Sequence, residues 1–433
     1  MPGAPATRAA GRVSPARACA LRVIRRVFEQ DAYADRALNG EAADLDPRDR
    51  ALAMALSYGT VQRRATLDHI AAQLVARPLG RLDAPVLAAV RLGLYELLYM
   101  GGAADYAAVN ETVELAKETS PHAAGLVNAV LRRGAREGAG MLAGLSDETP
   151  AAAAVLHSVP GWLAEKWWAE LGGEETRALL RVVNQPAESA LRVNTLVAAA
   201  AAVGAALPVA SRRVSDLPEA VVLDGPFDVQ GSELWRSGAV QPQSRASMVV
   251  SRFLEPEPEE RVLDLCAAPG GKTTHLAALM GDRGEIVAVE RHPGRAAALE
   301  RTAARLHATS VRVEVGDAAA LRADGPFDRV LVDPPCSGLG TLQSRPDLRW
   351  RVRPESIGEL AALQARILAA GARVLAPGGT LVYSVCTISS AESEALIDRF
   401  LGEHSEFSAD SSLQLLPHRD GTEGFFIARL RRN

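Results

Sequence analysis

From Arg261 onward the chain alternates β-type runs with helical ones, and no other feature narrows the possible folds as far. The β-type runs are residues 261–266, 285–290, 311–315, 329–332 and 380–385. Alternation of this kind predicts parallel strands joined by crossover helices, a doubly wound Rossmann-like α/β sheet. Ligands of such a sheet sit beyond the carboxyl ends of its strands, so the residues that follow each strand carry the functional reading.

The 433 residues exceed one hydrophobic core, which predicts two or three domains. Residues 14–138 show helical periodicity alone, with segments at 16–30, 48–63 and 82–99. In the last of these Val86, Val90, Leu94 and Leu97 or Leu98 mark one apolar face. Ser120 followed by Pro121 reads as an N-cap and first-turn proline opening a helix that runs to Arg136. Residues 139–260 are mixed, with a helix carrying Trp162, Trp167 and Trp168 and a short strand at 191–196, which reads as a small α+β region.

The formal charge is −4, so any nucleic-acid site must be a local patch. One candidate is Arg8, Arg12, Arg17, Arg22, Arg25 and Arg26, all before the first acid, Glu29; a solvated helix face explains them equally well. No apolar run is long enough for a membrane span and residues 1–20 lack a signal-peptide core, so a cytoplasmic protein without membrane association is expected. Cys19, Cys266, Cys336 and Cys386 are scattered and form no C-x-x-C pair, which predicts free thiols in a reducing compartment and no metal site.

The first strand feeds Leu265-Cys266-Ala267-Ala268-Pro269-Gly270-Gly271-Lys272-Thr273, a glycine loop that opens a helix. A phosphate loop would need glycine where Cys266 stands, and the dinucleotide G-x-G-x-x-G pattern is also absent. Glu290 closes the second strand, where an acid can accept both ribose hydroxyls, and Asp317 follows the third, placed for an adenine edge. Together they predict an adenosine-containing cofactor without a pyrophosphate, S-adenosylmethionine. The fourth strand runs into Asp333-Pro334-Pro335-Cys336-Ser337-Gly338 and the fifth into Ser384-Val385-Cys386-Thr387. If these strands are neighbours their backbones lie about 4.8 Å apart, and both thiols reach one substrate ring.

A methyltransferase needs a thiol when the accepting carbon is a poor nucleophile. Carbon 5 of cytosine is one, and thiolate addition at carbon 6 converts the ring to an enamine that can attack a sulfonium methyl. A free thiol of pKa about 8.5 is only a few per cent ionised at neutral pH, so an electropositive neighbour is required, and Lys272 is the candidate.

Asp264 through Lys272, Asp333 through Gly338 and the Cys386 motif together resemble the RNA cytosine-C5 methyltransferases. The helical part, with Tyr58-Gly59, Gly93-Leu94-Tyr95-Glu96-Leu97-Leu98-Tyr99 and the run from Gly125 to Arg133, resembles NusB. In this order, over nearly the whole chain, they resemble the bacterial 16S rRNA methyltransferase B family (RsmB, Sun or Fmu). The resemblance implies a multidomain protein: an all-α NusB-like RNA-binding domain at 14–138, a small α+β linker at 139–255 and a Rossmann-like methyltransferase domain at 256–433. It implies that Cys386 attacks the base, Cys336 helps release product, Asp333 contacts base and cofactor, and Lys272 bonds near the base. Cofactor contacts map to Cys266, Ala267, Ala268, Pro269, Gly270, Gly271, Lys272, Glu290, Asp317 and Asp333, and the partner is 16S rRNA or a small-subunit assembly intermediate bound by a monomer.

The sequence departs from the family at Val385, usually threonine, and at Gln243-Ser244-Arg245-Ala246-Ser247, usually Gln-Asp-Glu-Ala-Ser. Alternatives stay open: a tRNA substrate, attack by Cys336 as in DNA cytosine methyltransferases, or an RNA-binding antitermination module with an inactive enzyme domain. Arg345, Arg349 and Trp350 offer either an RNA-contacting surface or packing.

Overall fold

The computed structural model describes residues 13–101, 105–321 and 325–433, which gather into two compact units. One takes the chain through Gln185 together with Leu342–Arg351; the other takes Pro186–Thr341 and Val352–Asn433. Among the described residues no helix is long and apolar enough to cross a membrane.

The first unit is helical because its segments carry both the periodicity and the start signals of helices. Ser14 caps Pro15–Glu29 by accepting the Arg17 N–H, and Asp46 caps Pro47–Gln62 by accepting those of Arg48 and Asp49. Helix Ala84–Tyr99 buries Val86, Val90 and Leu94 as its pattern predicts, but it also buries Arg91 and Glu96. Each is paired, Arg91 with Asp68 at 2.7 Å and Glu96 with Arg17, which offsets the cost of removing their charges from water. A Cβ added at Gly59 would lie 1.9 Å from the Tyr95 ring, so these two motif residues mark a close helix–helix approach. The segment after Ser120 differs from expectation. Pro121–Ala123 form a 3-10 turn, and the α-helix is Ala124–Ala143, past Arg136, with Met141 and Leu142 packed on the core. Ser120 makes no side-chain cap, and its N–H closes the preceding helix on the Ala116 carbonyl at 2.7 Å.

The N-terminal arginines do not form a free basic patch where they are described. Arg17 pairs with Glu96 and Glu111, Arg22 and Arg26 with Glu41, and Arg25 with Glu29; Arg8 and Arg12 lie outside the described residues. Arg349 and Trp350 are packing residues. The Arg349 guanidinium is fully buried and donates to the Ser158, Val183 and Leu342 carbonyls and to Asn184, and the Trp350 indole N–H donates to the Val61 carbonyl at 2.7 Å. Arg345 is exposed.

In the second unit β1 (Ala190–Val193), β2 (Ser211–Val214), β3 (Leu217–Leu223) and β4 (Val240–Pro242) form an antiparallel sheet in the order β2-β3-β1-β4. The strand read at 191–196 stops at Val193, where Asn194 turns its amide to the Gly238 and Leu306 carbonyls. The larger sheet holds β5 (Arg261–Leu265), β6 (Glu285–Glu290), β7 (Val311–Val315), β8 (Phe327–Val332), β9 (Leu375–Val385), β10 (Phe407–Leu415) and β11 (Phe425–Arg432). Its order is β10-β11-β9-β8-β5-β6-β7, with β5 through β9 parallel, as the alternation predicts, and β11 antiparallel to both β9 and β10.

Both faces of this sheet are covered, as parallel strands require. Leu263, Leu265, Val287, Val289, Val330, Val332, Leu381 and Tyr383 pack with helix Pro354–Val374, and Val262, Ile286, Leu331 and Val382 pack with helices Arg245–Leu254 and Gly271–Leu279. From β5 the chain winds outward to β7 and then returns to β8 on the other side, so strand order reverses between β5 and β8. A ligand crevice is expected at that reversal, beyond the strand ends.

Candidate active site

Beyond β5, Cys266 adopts φ 65°, a left-handed conformation uncommon for a residue with a side chain, and the chain turns into helix Gly271–Leu279. Cys266 lines a cavity of about 420 Å³ together with Glu290, Asp317, Arg295, Leu363 and Ile367. The cavity therefore joins the ends of β5, β6 and β7. Glu290 is buried and accepts the His292 N–H at 2.9 Å, while Asp317 is exposed and accepts that of Ala319 at 3.0 Å. Burial pushes the Cys266 thiol up to about 12, with the charges of Asp333, Asp264 and Glu290 adding to it, so it stays protonated. Of the rest of the loop, Ala267 and Ala268 are buried against Ala288 and Leu299, and Pro269 is exposed. Leu363 and Ile367 were not legible in sequence, because they come from the middle of a crossover helix rather than from a strand end.

A second cluster forms where β8 and β9 run side by side, with Val332 opposite Tyr383. Cys386 directly follows β9 and Cys336 lies in the loop after β8; their sulfurs are 3.2 Å apart. Asp333 is clamped from two sides, by the Lys272 ammonium at 2.7 Å and by the Ser384 hydroxyl at 2.8 Å. Burial works to lower the Lys272 pKa, but the Asp333 carboxylate outweighs it and the net shift is upward, so the ammonium stays charged. The Cys336 thiol lies well above its ordinary range, through its hydrogen bond with Cys386 first and burial second. Either sulfur can be the donor in the thiol pair, and the upward shift favours the protonated form of Cys336.

Val385 and Ser244-Arg245, where the resemblance leads to an expectation of other residues, have definite places in the fold. Val385 is fully buried in the apolar core, and the neighbouring Ser384 supplies the hydroxyl that steadies Asp333. Ser244 caps helix Arg245–Leu254 by accepting the Ser247 N–H, and Arg245 pairs with Glu188 at 2.6 Å.

Comparison with known proteins bears on the family of the chain. The family described as 16S rRNA methyltransferase RsmB/F matches residues 251–431, the NusB family matches 14–136, and a Methyltr_RsmF/B-like, ferredoxin-like domain matches 159–230. A probable ribosomal RNA small subunit methyltransferase B from Synechocystis sp. is 37% identical, covering 96% of this chain and 99% of that protein. This chain belongs to the small subunit methyltransferase B family. A probable family member from Bacillus subtilis is 33% identical over 95% of this chain and 98% of its own length. The solved structure of PH0851 superimposes with a TM-score of 0.83 at 28% identity, covering 98% of this chain and 100% of that one. The small subunit methyltransferase B family uses S-adenosylmethionine, and the expectations of a NusB-like helical part, a small α+β region and a Rossmann-like methyltransferase hold.

Proposed function

We propose that this enzyme methylates carbon 5 of a cytosine in 16S rRNA through a covalent bond between Cys386 and carbon 6 of the base. The observation that carries the reading is the 3.2 Å separation of the Cys336 and Cys386 sulfurs beside the Lys272–Asp333 pair. A site for methyl transfer to a nucleophilic nitrogen or oxygen would have no use for two thiols.

The cavity residues fit S-adenosylmethionine. Glu290 offers a carboxylate to the ribose hydroxyls, Asp317 one to the adenine amine, and Leu363 and Ile367 apolar surface to the adenine face. When bound, the cofactor supplies a methyl group on a sulfonium, which leaves as a neutral thioether.

The residues of the chain account for the remaining steps. Cys386, as thiolate, places its electron pair on carbon 6. The displaced π electrons move toward N3, where the Lys272 ammonium offsets the developing negative charge, and the pair returns to carbon 5 as that carbon takes the methyl. With its sulfur bound to carbon, Cys386 no longer holds the proton on Cys336, which passes to solvent. Cys336 then takes the proton at carbon 5, the C5–C6 double bond re-forms, and the C6–S pair returns to Cys386. The net result is one methyl transferred and one proton released. A cytosine can enter such a site only after leaving its stack, at a cost of a few kcal/mol that an unpaired loop minimises.

Cys386→Ala is expected to abolish methylation, and Cys336→Ala to attack the base but release it slowly, leaving a protein–RNA band on a denaturing gel. Adduct from Cys386→Ala, absent in Cys336→Ala, would reverse the two roles. Bisulfite sequencing of small-subunit rRNA from a deletion strain is expected to show one cytosine losing protection; loss confined to a tRNA would replace the substrate.

A further inference from the structure

The residues that follow the two cysteines meet at a single buried carboxylate. Glu392, in the 3-10 turn Ser390–Glu392, is fully buried, a position that a carboxylate occupies only when its oxygens are satisfied. One oxygen accepts the Ser337 backbone N–H at 2.8 Å and the Gln364 amide at 3.0 Å. The other accepts the Ser337 hydroxyl at 2.5 Å and lies 3.3 Å from the Thr387 hydroxyl, which is itself 2.6 Å from that of Ser337. Ser337 follows Cys336 directly, and Thr387 follows Cys386.

We propose that Glu392 is a positioning residue of this active site, fastening the loop after Cys336 to the loop after Cys386 so that the two sulfurs stay side by side. This rests on the reading of those thiols as the reacting pair. The carboxylate touches neither sulfur, and its oxygens are taken up by donors from the two loops and from Gln364, so it acts through Ser337 and Thr387 and not on the substrate. Gln364 extends the same fastening, since its amide also donates to the Pro335 carbonyl at 2.9 Å, one residue before Cys336. A second tie lies at the far end of the loop, where the Gly340 N–H donates to the Cys386 carbonyl at 3.1 Å. That tie is backbone alone, and the side-chain tie through Glu392 keeps the intervening residues from swinging.

The charge of the fastener is part of its effect. Cys336 faces Cys386, Glu392, Asp333 and the Tyr383 hydroxyl, with the Lys272 ammonium balancing Asp333. Behind the hydrogen bond from Cys386 and burial, the negative charge of Glu392 also holds the Cys336 proton in place. Glu392→Gln keeps the shape and removes that charge, whereas Thr387→Val keeps the charge and removes one donor.

The test uses the full-length protein. Alkylation of each cysteine by iodoacetamide, read by mass spectrometry across the alkaline range without RNA, is expected to show the Cys336 profile moving to lower pH in Glu392→Gln and staying in place in Thr387→Val. Single-turnover methylation is expected to fall in both variants, on the order of 10²-fold in Glu392→Gln, with KM for RNA unchanged, as for a misplaced reacting group. A wild-type rate constant with an unmoved Cys336 profile in Glu392→Gln overturns the inference, and so does a loss confined to KM. If Glu392→Gln does not fold, Thr387→Val decides alone, and a wild-type rate constant there overturns it. A moved profile in a protein that forms no 5-methylcytosine supports the fastening and overturns the proposed reaction instead.

Discussion

A lysine among apolar neighbours tends to lose its charge, because burial penalises the ion. Lys272 keeps its charge through Asp333 at 2.7 Å, and Asp333 in turn is held by Ser384 one strand away. The expected consequence is that Lys272→Met lowers single-turnover methylation on the order of 10²-fold at neutral pH. A rate within a factor of two or so of wild type would remove the lysine from the account. The strand-end rule made Cys266, Lys272, Glu290, Asp317, Asp333, Cys336 and Cys386 legible in sequence, because each stands at the end of a β-type run or in the loop or helix start that follows one. Ser384, Leu363 and Glu392 escaped it. One lies inside a strand, one within a helix and one in a 3-10 turn, and what each faces is set by packing that no local pattern encodes.

At the scale of elements, the parallel strands were legible from their apolar runs, whereas β10 and β11 were not anticipated. The strand Phe407–Leu415 is an edge strand, polar and largely exposed along its middle, so it lacks the pattern that marks a covered strand. Gly59 shows the opposite case, a motif residue whose reason is packing. Gly59→Ala is expected to push against the Tyr95 ring and cost about 1–3 kcal/mol, seen as a lower midpoint in thermal unfolding, while a midpoint at the wild-type value would mean that the two helices separate freely. Glu219 of β3, Arg252 and His275 form a buried ionic contact, with His275 Nε2 2.9 Å from Glu219 and Arg252 at 2.7 Å. Burial pushes His275 down to about 4 from its ordinary 6.5, so between those values the unfolded chain binds a proton that the folded one refuses. Stability is then complete above 6.5 and is lost as the pH falls toward 4, by up to about 1.4 kcal/mol per pH unit. Urea unfolding across this range is expected to show a shallower slope for His275→Gln; parallel slopes would mean that the histidine is charged in the fold.

For the whole molecule, a net charge of −4 forbids general attraction to RNA, and the described N-terminal arginines are already paired with carboxylates. Selectivity must then come from local contacts and from the site itself. The candidate cofactor residues all belong to the second unit, so a ligand bound there stabilises that unit by mass action. S-adenosylhomocysteine at a hundred times its Kd is expected to add about 2.7 kcal/mol, and Glu290→Ala to abolish most of the accompanying thermal shift. An equal shift in wild type and variant would move the cofactor out of the cavity at the ends of β5, β6 and β7. The domain order was legible because helical and alternating segments occupy separate stretches of sequence. The docking of Leu342–Arg351 into the helical unit was not, since that depends on where a buried Arg349 finds its carbonyls.

The most direct test of the account is the identity of the atom that bonds the base. The adduct trapped with Cys336→Ala would be digested with nuclease and protease and its linked peptide sequenced by mass spectrometry. A methylated cytidine attached at Cys386 is the expected result; attachment at any other residue, or rRNA carrying 5-methylcytosine with no adduct formed at all, would contradict it.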